Sequence, residues 1–225
     1  PRSKRFLFLH TSYVKGERTL NWKTSADGRT WSAPQLLAHL EMGNYQVSFR
    51  DGDTDRVATA FDLHPAEGRA GKGLNYRTNL YFAETRDAGV SWTNAAGEKL
   101  VLPLRAAANP ALVRDYRRED LSVYLKDIAF TAAGEPVILY LTSKGFNPGA
   151  ASGPFQWHTA RWDGRAWVFR ASVTSDHNYD HGSLYIEADG IWRVIAPTSP
   201  GPQNRSSTTS CTKKLATKPC RSIRP

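Results

Sequence analysis

The sequence predicts an all-β protein built from repeated four-stranded units, and three observations carry that reading. Helical periodicity is nearly absent from the 225 residues; period-2 alternation and short apolar runs bounded by Gly, Asp and Asn dominate. Paired strands of one plan recur along the chain. A third strand follows three times, and each copy ends in a turn that places Asp and Gly shortly before Trp. The aromatic content agrees: Trp (7), Tyr (9) and Phe (9) outweigh a single Met, and aromatic side chains favour strands.

The chain enters almost at once the apolar strand RFLFLHTSYV, which reads as the second strand of a unit lacking its innermost one. We expect the true N-terminus to lie upstream, so the lack of a signal peptide says nothing about export. TLNWKTSADGRTW gives the third strand of this unit and APQLLAHL its fourth. VSFRDGDTDRVATAFDLHP supplies strands one and two of the next unit, YRTNLYFAETRDAGVSW the third and EKLVLPL the fourth. The segment ALVRDYRREDLSVY holds the one plausible helical turn. IAFTAAGEPVILYLTSKG, FQWHTARWDGRAW and VFRASVT complete a third unit, and LYIEADGIWRVIAPTSPG opens a fourth. Residues 1–200 therefore form one repeated body. A wheel of such sheets closes with 4–8 blades.

Composition limits the partners. Six of the nine net positive charges lie between Gly201 and Pro225, where no acid occurs, which leaves +3 for residues 1–200. With no basic stripe interleaved with aromatics in the body, no nucleic-acid partner is expected. No run of 18 apolar residues exists, so no membrane-spanning helix is expected. Both cysteines, Cys211 and Cys220, fall in the 201–225 tail, so the body carries no redox signal. The tail reads as a basic disordered linker or as a non-native end.

The three turns are Asp27-Gly28-Arg29-Thr30-Trp31, Asp87-Ala88-Gly89-Val90-Ser91-Trp92 and Asp163-Gly164-Arg165-Ala166-Trp167. They resemble the Asp-box, S/T-x-D-x-G-x-x-W, of sialidase-like β-propellers. Thr85 to Trp92 match in full, Ser25 to Trp31 match with one residue deleted, and the third copy has Arg161 in place of the hydroxyl residue. Asp and Ser/Thr tie off backbone N–H groups, Gly takes positive φ and Trp packs between sheets. These turns read as folding devices, and the resemblance implies that they lie on the face away from the site. The expected fold is a sialidase-like β-propeller, here a partial wheel of three to four four-stranded blades.

Strand polarity sorts the connections. Links from strand 2 to 3, and from strand 4 to the next strand 1, open on the face opposite the Asp-box turns. They carry His10, Asp62, His64, Arg77, Lys144 and His158 in the first set. The second set carries Glu41, Asn44, Tyr45 and the loop SDHNYDHG, with His177, Tyr179, Asp180 and His181. His10 and His64 are expected to close equivalent strands. Each loop residue has a plain alternative as a strand-end cap. Arg77 is either an ordinary salt-bridged strand residue or a clamp for a sugar carboxylate.

LHTSYVKGERTLNWKTSADGRTWS, NYQVS, AFDLHP, YRTNLYFAETRDAGVSW and DHNYDHGSLY together resemble BNR-4 repeat proteins, the group that includes ulvan-type polysaccharide lyases. The resemblance implies β-elimination on an acidic uronate polysaccharide, and an extracellular or periplasmic location. That chemistry needs a cationic carboxylate clamp, a base and an acid. By resemblance His64, Arg77, Tyr124 and His158 are the catalytic candidates. Asn44, Tyr45, Lys126, His177, Tyr179 and His181 are the substrate-binding ones. The lyase pattern implies a histidine where Asn44 stands, which opens two alternatives: a non-catalytic glycan-binding propeller, with Tyr45, Trp157 and Tyr179 stacking on sugars, or a sialidase-type hydrolase. No cofactor is expected. His177 and His181 lie four apart on a loop, a weak spacing for a metal, so no metal site is assigned.

Overall fold

The computed structural model describes residues 3–187 and 189–198, and the backbone of 222–223. Four antiparallel sheets follow one another along the chain. The first holds β1 (Phe6–Val14), β2 (Glu17–Ser25) and β3 (Gln35–Ala38). The second holds β4 (Gln46–Arg50), β5 (Val57–Leu63), β6 (Thr78–Thr85) and β7 (Leu112–Arg114). The third holds β8 (Ser122–Phe130), β9 (Pro136–Ser143), β10 (Phe155–Trp162) and β11 (Trp167–Ser175). The last holds β12 (Ser183–Ile186), β13 (Trp192–Ile195) and β14 (Ser222–Ile223). Every sheet is a meander, so each strand pairs with its sequence neighbours. This is the all-β partial wheel that the repeats predict.

The cores sit between sheets, and alternation builds them. On β5 and β6, Phe61, Leu63, Tyr81 and Ala83 face the first sheet, where they meet Leu20, Trp22 and Leu37. Their neighbours Ala58, Ala60, Leu80 and Phe82 face the third sheet and meet Val123, Ile138 and Tyr140. On β9, Val137, Leu139 and Leu141 turn instead towards Leu184 and Trp192 of the last sheet. A middle strand is thus buried on both faces, which is why it reads as a continuous apolar run. Among the described residues no strand pairs with the other edge of β1, and Phe6 and Phe8 are exposed there.

An Asp side chain closes all three Asp–Gly–Trp turns, and a hydroxyl side chain joins it in the first two. Gly28 N–H donates to Ser25 Oγ at 2.8 Å and Thr30 N–H to Asp27 Oδ1 at 2.7 Å. Gly89 N–H donates to Thr85 Oγ1 at 2.8 Å and Ser91 N–H to Asp87 Oδ1 at 2.9 Å. In the third turn Asp163 Oδ1 still accepts from Arg165 and Ala166 N–H, each at 2.9 Å. The hydroxyl half is missing there, because Arg161 points to Glu135 at 3.3 Å. Trp92 is buried edge-on to Trp22, and Trp167 sits edge-on to Phe82 one sheet later. Trp31 follows the same rule at the first sheet, where among the described residues it meets Phe8 edge-on and stays 38% exposed.

Two expectations need correction. EKLVLPL is not the outer strand of the second sheet; β7 takes that place. The segment crosses back to the first sheet, where Leu104 N–H donates to Leu37 O and His39 N–H to Leu104 O, both at 2.9 Å. Pro103 has no N–H to give a ladder, and Leu100 and Leu104 are worth more in the core between the two sheets. ALVRDYRREDLSVY is not helical: it is β7 followed by a turn in which Leu121 N–H donates to Tyr116 O at 3.0 Å. The basic tail falls outside the described residues, apart from β14, whose Ile223 pairs with Trp192.

Candidate functional site

The links between strands 2 and 3 and those between sheets do meet, and they form a polar cluster over the second and third sheets. Four tracts converge: the β3–β4 link with Asn44 and Tyr45, the end of β5 with Asp62 and His64, the β5–β6 link with Asn75 and Arg77, and β8 with Tyr124 and Lys126. Asp62 and His64 are two apart in a strand, so both side chains share one face. His64 continues the β-pairing beyond β5, with its N–H donated to Gly43 O at 2.8 Å.

His64 is 1% exposed, and neither ring nitrogen has a hydrogen-bond partner. Its Nε2 lies 3.5 Å from Asp62 Oδ1, and the Tyr45 ring stands edge-on at 4.7 Å. Burial, with the Arg77 and Arg18 charges next, holds the imidazole down to about 3, so it is neutral at pH 7. Asp62 is as deeply buried. Its Oδ1 accepts the Tyr45 N–H at 2.6 Å and its Oδ2 is unpartnered. Burial pushes this carboxyl up to about 7, against the pull of Arg77.

Two guanidinium groups lie over the Tyr45 ring, Arg18 at 4.1 Å and Arg77 at 4.2 Å. Arg77 donates its Nε–H to Leu74 O at 3.0 Å and also reaches the Tyr124 ring at 5.4 Å. Among the described residues it has no salt-bridge partner; it precedes β6 and lies against aromatic faces. Tyr124 is buried, donates its hydroxyl to Asn75 O at 3.1 Å, and is held protonated by burial. Asn75 also takes the hydroxyl of Tyr179 on its side-chain oxygen, which ties the β5–β6 link to the SDHNYDHG loop. Lys126 sits at a register shift of β8 and donates to Asn178 O at 2.7 Å. Burial brings its ammonium down to about 7, with Arg77 adding to the fall. Asn44 and Asn178 are both fully buried with amides that have no partner.

The structure therefore gathers His64, Arg77, Tyr124, Asn44, Tyr45, Lys126 and Tyr179, and leaves the other candidates outside the cluster. His158 is opposite Tyr140 in register, whereas Tyr124 is opposite Leu141. Tyr124 and His158 thus lie on opposite faces of the third sheet. His158 stacks on Tyr140 at 5.3 Å and bonds Thr142 at 2.9 Å, and burial holds it down to about 4. His177 accepts the Tyr179 N–H at 3.0 Å and so shapes the loop, while His181 is exposed. Trp157 is a core residue that donates to Pro197 O at 3.0 Å, and cannot stack on a sugar. His10 does not end its strand: β1 runs on to Val14, and the ring stacks on Phe8. Asp62, Arg18 and Asn75 complete the cluster; strand polarity sorted Asp62 to the site face without giving it a role, and Arg18 and Asn75 were not expected there. Their signal was there in part, since Asp62 stands two before His64 in a β pattern. Among the described residues no group of three or more His, Cys, Asp or Glu could hold a metal ion.

Residues 8–175 match the model of the BNR repeat-containing family. The chain belongs to that family. A curated relative, an ulvan lyase PL25 of Pseudoalteromonas sp. (strain PLSV), is 28% identical over 176 residues, which cover 71% of this chain. The chain spans 36% of that relative's length. A solved ulvan lyase of polysaccharide lyase family PL25 superposes with a TM-score of 0.66 at 18% identity, over 90% of this chain and 48% of that one. A second structure of it is bound to -[GlcA(1-4)Rha3S]-. A Hadza microbial sialidase superposes with a TM-score of 0.54 at 12% identity, over 86% of this chain and 40% of its own. These likenesses show a sialidase-like fold.

Proposed function

We propose that this protein acts on an acidic uronate polysaccharide by β-elimination. The observation that carries the reading is one juxtaposition: a neutral imidazole, a protonated phenol and a permanent cation converge where the blade links meet. In this reading Arg77 binds the uronate carboxylate, assisted by Lys126 and the unpartnered Asn44 amide. Neutralising that carboxylate makes the C5 proton acidic. His64 removes the proton, the C4–C5 double bond forms, and the C4–oxygen bond breaks. Tyr124 gives its proton to the departing oxygen. Tyr45 and Tyr179 border the site, and His177 and His181 line the loop beside it. His158 is given no role, because it faces the other side of its sheet.

His64 is covered by Tyr45, so substrate reaches it only when the Tyr45 ring and Arg77 move aside. An arriving carboxylate offers Arg77 a charge-assisted pair in place of a ring face, which drives that exchange. A polysaccharide substrate places the work outside the cell or in the periplasm. Among the described residues no helix is long and apolar enough to cross a membrane.

Asn44 supports a second reading, glycan binding without cleavage, because the lyase pattern implies histidine at that position. Mass spectrometry of oligosaccharides after incubation separates the two. Elimination gives chains whose new end is one water lighter than a hydrolysis product. Bound but intact glycan would leave only the second reading, and hydrolytic masses would refute both.

A further inference from the structure

Asp62 is a buried acid beside His64 that the mechanism above does not use. It lies on the face of β5 that carries His64, and its Oδ1 holds the backbone of Tyr45 at 2.6 Å while standing 3.5 Å from His64 Nε2. Its Oδ2 and both imidazole nitrogens have no other partner among the described residues. The charged and titratable groups around the pair are Arg18 from β2, Tyr45 from the β3–β4 link and Arg77 from the β5–β6 link. Hydrogen bonds of catalytic groups are commonly long in the free enzyme and tighten on binding. We propose that Asp62 is a positioning residue for His64. Its carboxylate takes the Nε2–H of the imidazole and leaves Nδ1 bare as the atom that accepts the substrate proton.

This rests on His64 being the base, and an outer partner of this kind fixes tautomer and ring orientation. Burial raises the Asp62 carboxyl to about 7, so the arrangement is complete only above neutral pH.

The test is Asp62→Asn, which keeps an oxygen for the Tyr45 N–H and removes the ionisation. Histidine is labelled with nitrogen-15, and His64 is assigned with a His64→Gln variant. The wild type is expected to show His64 as the Nε2–H tautomer at alkaline pH, with an inflection near 7 that Asp62→Asn removes. A dominant Nδ1–H tautomer, or an inflection unchanged in the variant, overturns the proposal. Kinetics give a second arm. Asp62→Asn is expected to lower kcat about 10–100-fold, with little change in KM, and to flatten the limb of the pH profile near neutrality. Unchanged kcat overturns the positioning role. If no uronate glycan is cleaved by the wild type, the elimination reading fails while the tautomer spectra still decide the Asp62–His64 pair.

Discussion

Arg77 shows how much of the site a single residue can settle. Its guanidinium lies over the Tyr45 ring, reaches the Tyr124 ring, and donates to Leu74 O. A planar fork can leave one ring for a carboxylate, whereas a lysine is a point charge that cannot grip both oxygens. Arg77→Lys is therefore expected to raise KM and lower kcat/KM about tenfold or more on a uronate substrate, with thermal unfolding nearly unchanged. A KM equal to wild type would remove Arg77 from carboxylate binding. Strand polarity alone sends His64 and Arg77 to one end of the sheets, whereas Tyr124 and Lys126 were expected there only from the family resemblance. Residue-level reading of the sequence misplaced His158 and Trp157 for a definite reason. β10 alternates buried Phe155 and Trp157 with half-buried Gln156 and His158, so the two side chains part, but only the register with Tyr140 and Leu141 tells which sheet each one faces.

At the scale of elements, the Asp–Gly–Trp turns hold the sheets together at the end away from the site. The second turn carries the full set: Thr85 Oγ1 bonds Asp87 Oδ1 at 2.8 Å and takes the Gly89 N–H, and Trp92 fills the core between the first two sheets. Gly89 has φ +89°, and a Cβ there would lie 2.9 Å from Leu7 and Trp22. Thr85→Ala is expected to cost about 1 kcal/mol through the lost turn bonds. Trp92→Ala is expected to cost about 3–5 kcal/mol through the cavity left behind. Urea unfolding of both variants checks the order; equal costs would mean that the turn bonds, and not the indole, hold this end. These turns were legible because each needs particular residues at fixed spacing. The 98–112 crossing was not, because EKLVLPL and the true edge strand β7 are both short apolar runs, and long-range pairing with Leu37 chose between them.

The whole molecule carries a pH signature of its buried histidines. His158 and His64 ordinarily titrate near 6.5 and are held down to about 4 and about 3. Between those values the unfolded chain binds more protons, so stability falls as pH drops from 6.5 towards 4. Asp62 opposes this: its pKa is raised from 3.8 to about 7, so its contribution is full at low pH and is lost as pH rises through 7. Two histidines outweigh one carboxyl across the shared window. The unfolding temperature is expected to fall between pH 6.5 and 4.5, and His158→Gln should make the fall shallower. A slope unchanged in that variant would mean that His158 is protonated in the folded protein.

The most direct test of the central claim is ultraviolet absorbance of the 4,5-unsaturated uronate during incubation with uronate polysaccharides, ulvan included, for the wild type and for His64→Ala. The account predicts a steady rise for the wild type and none for the variant, with both proteins folded by circular dichroism. A flat trace for folded wild-type protein on every substrate, or an equal rise in His64→Ala, would contradict it.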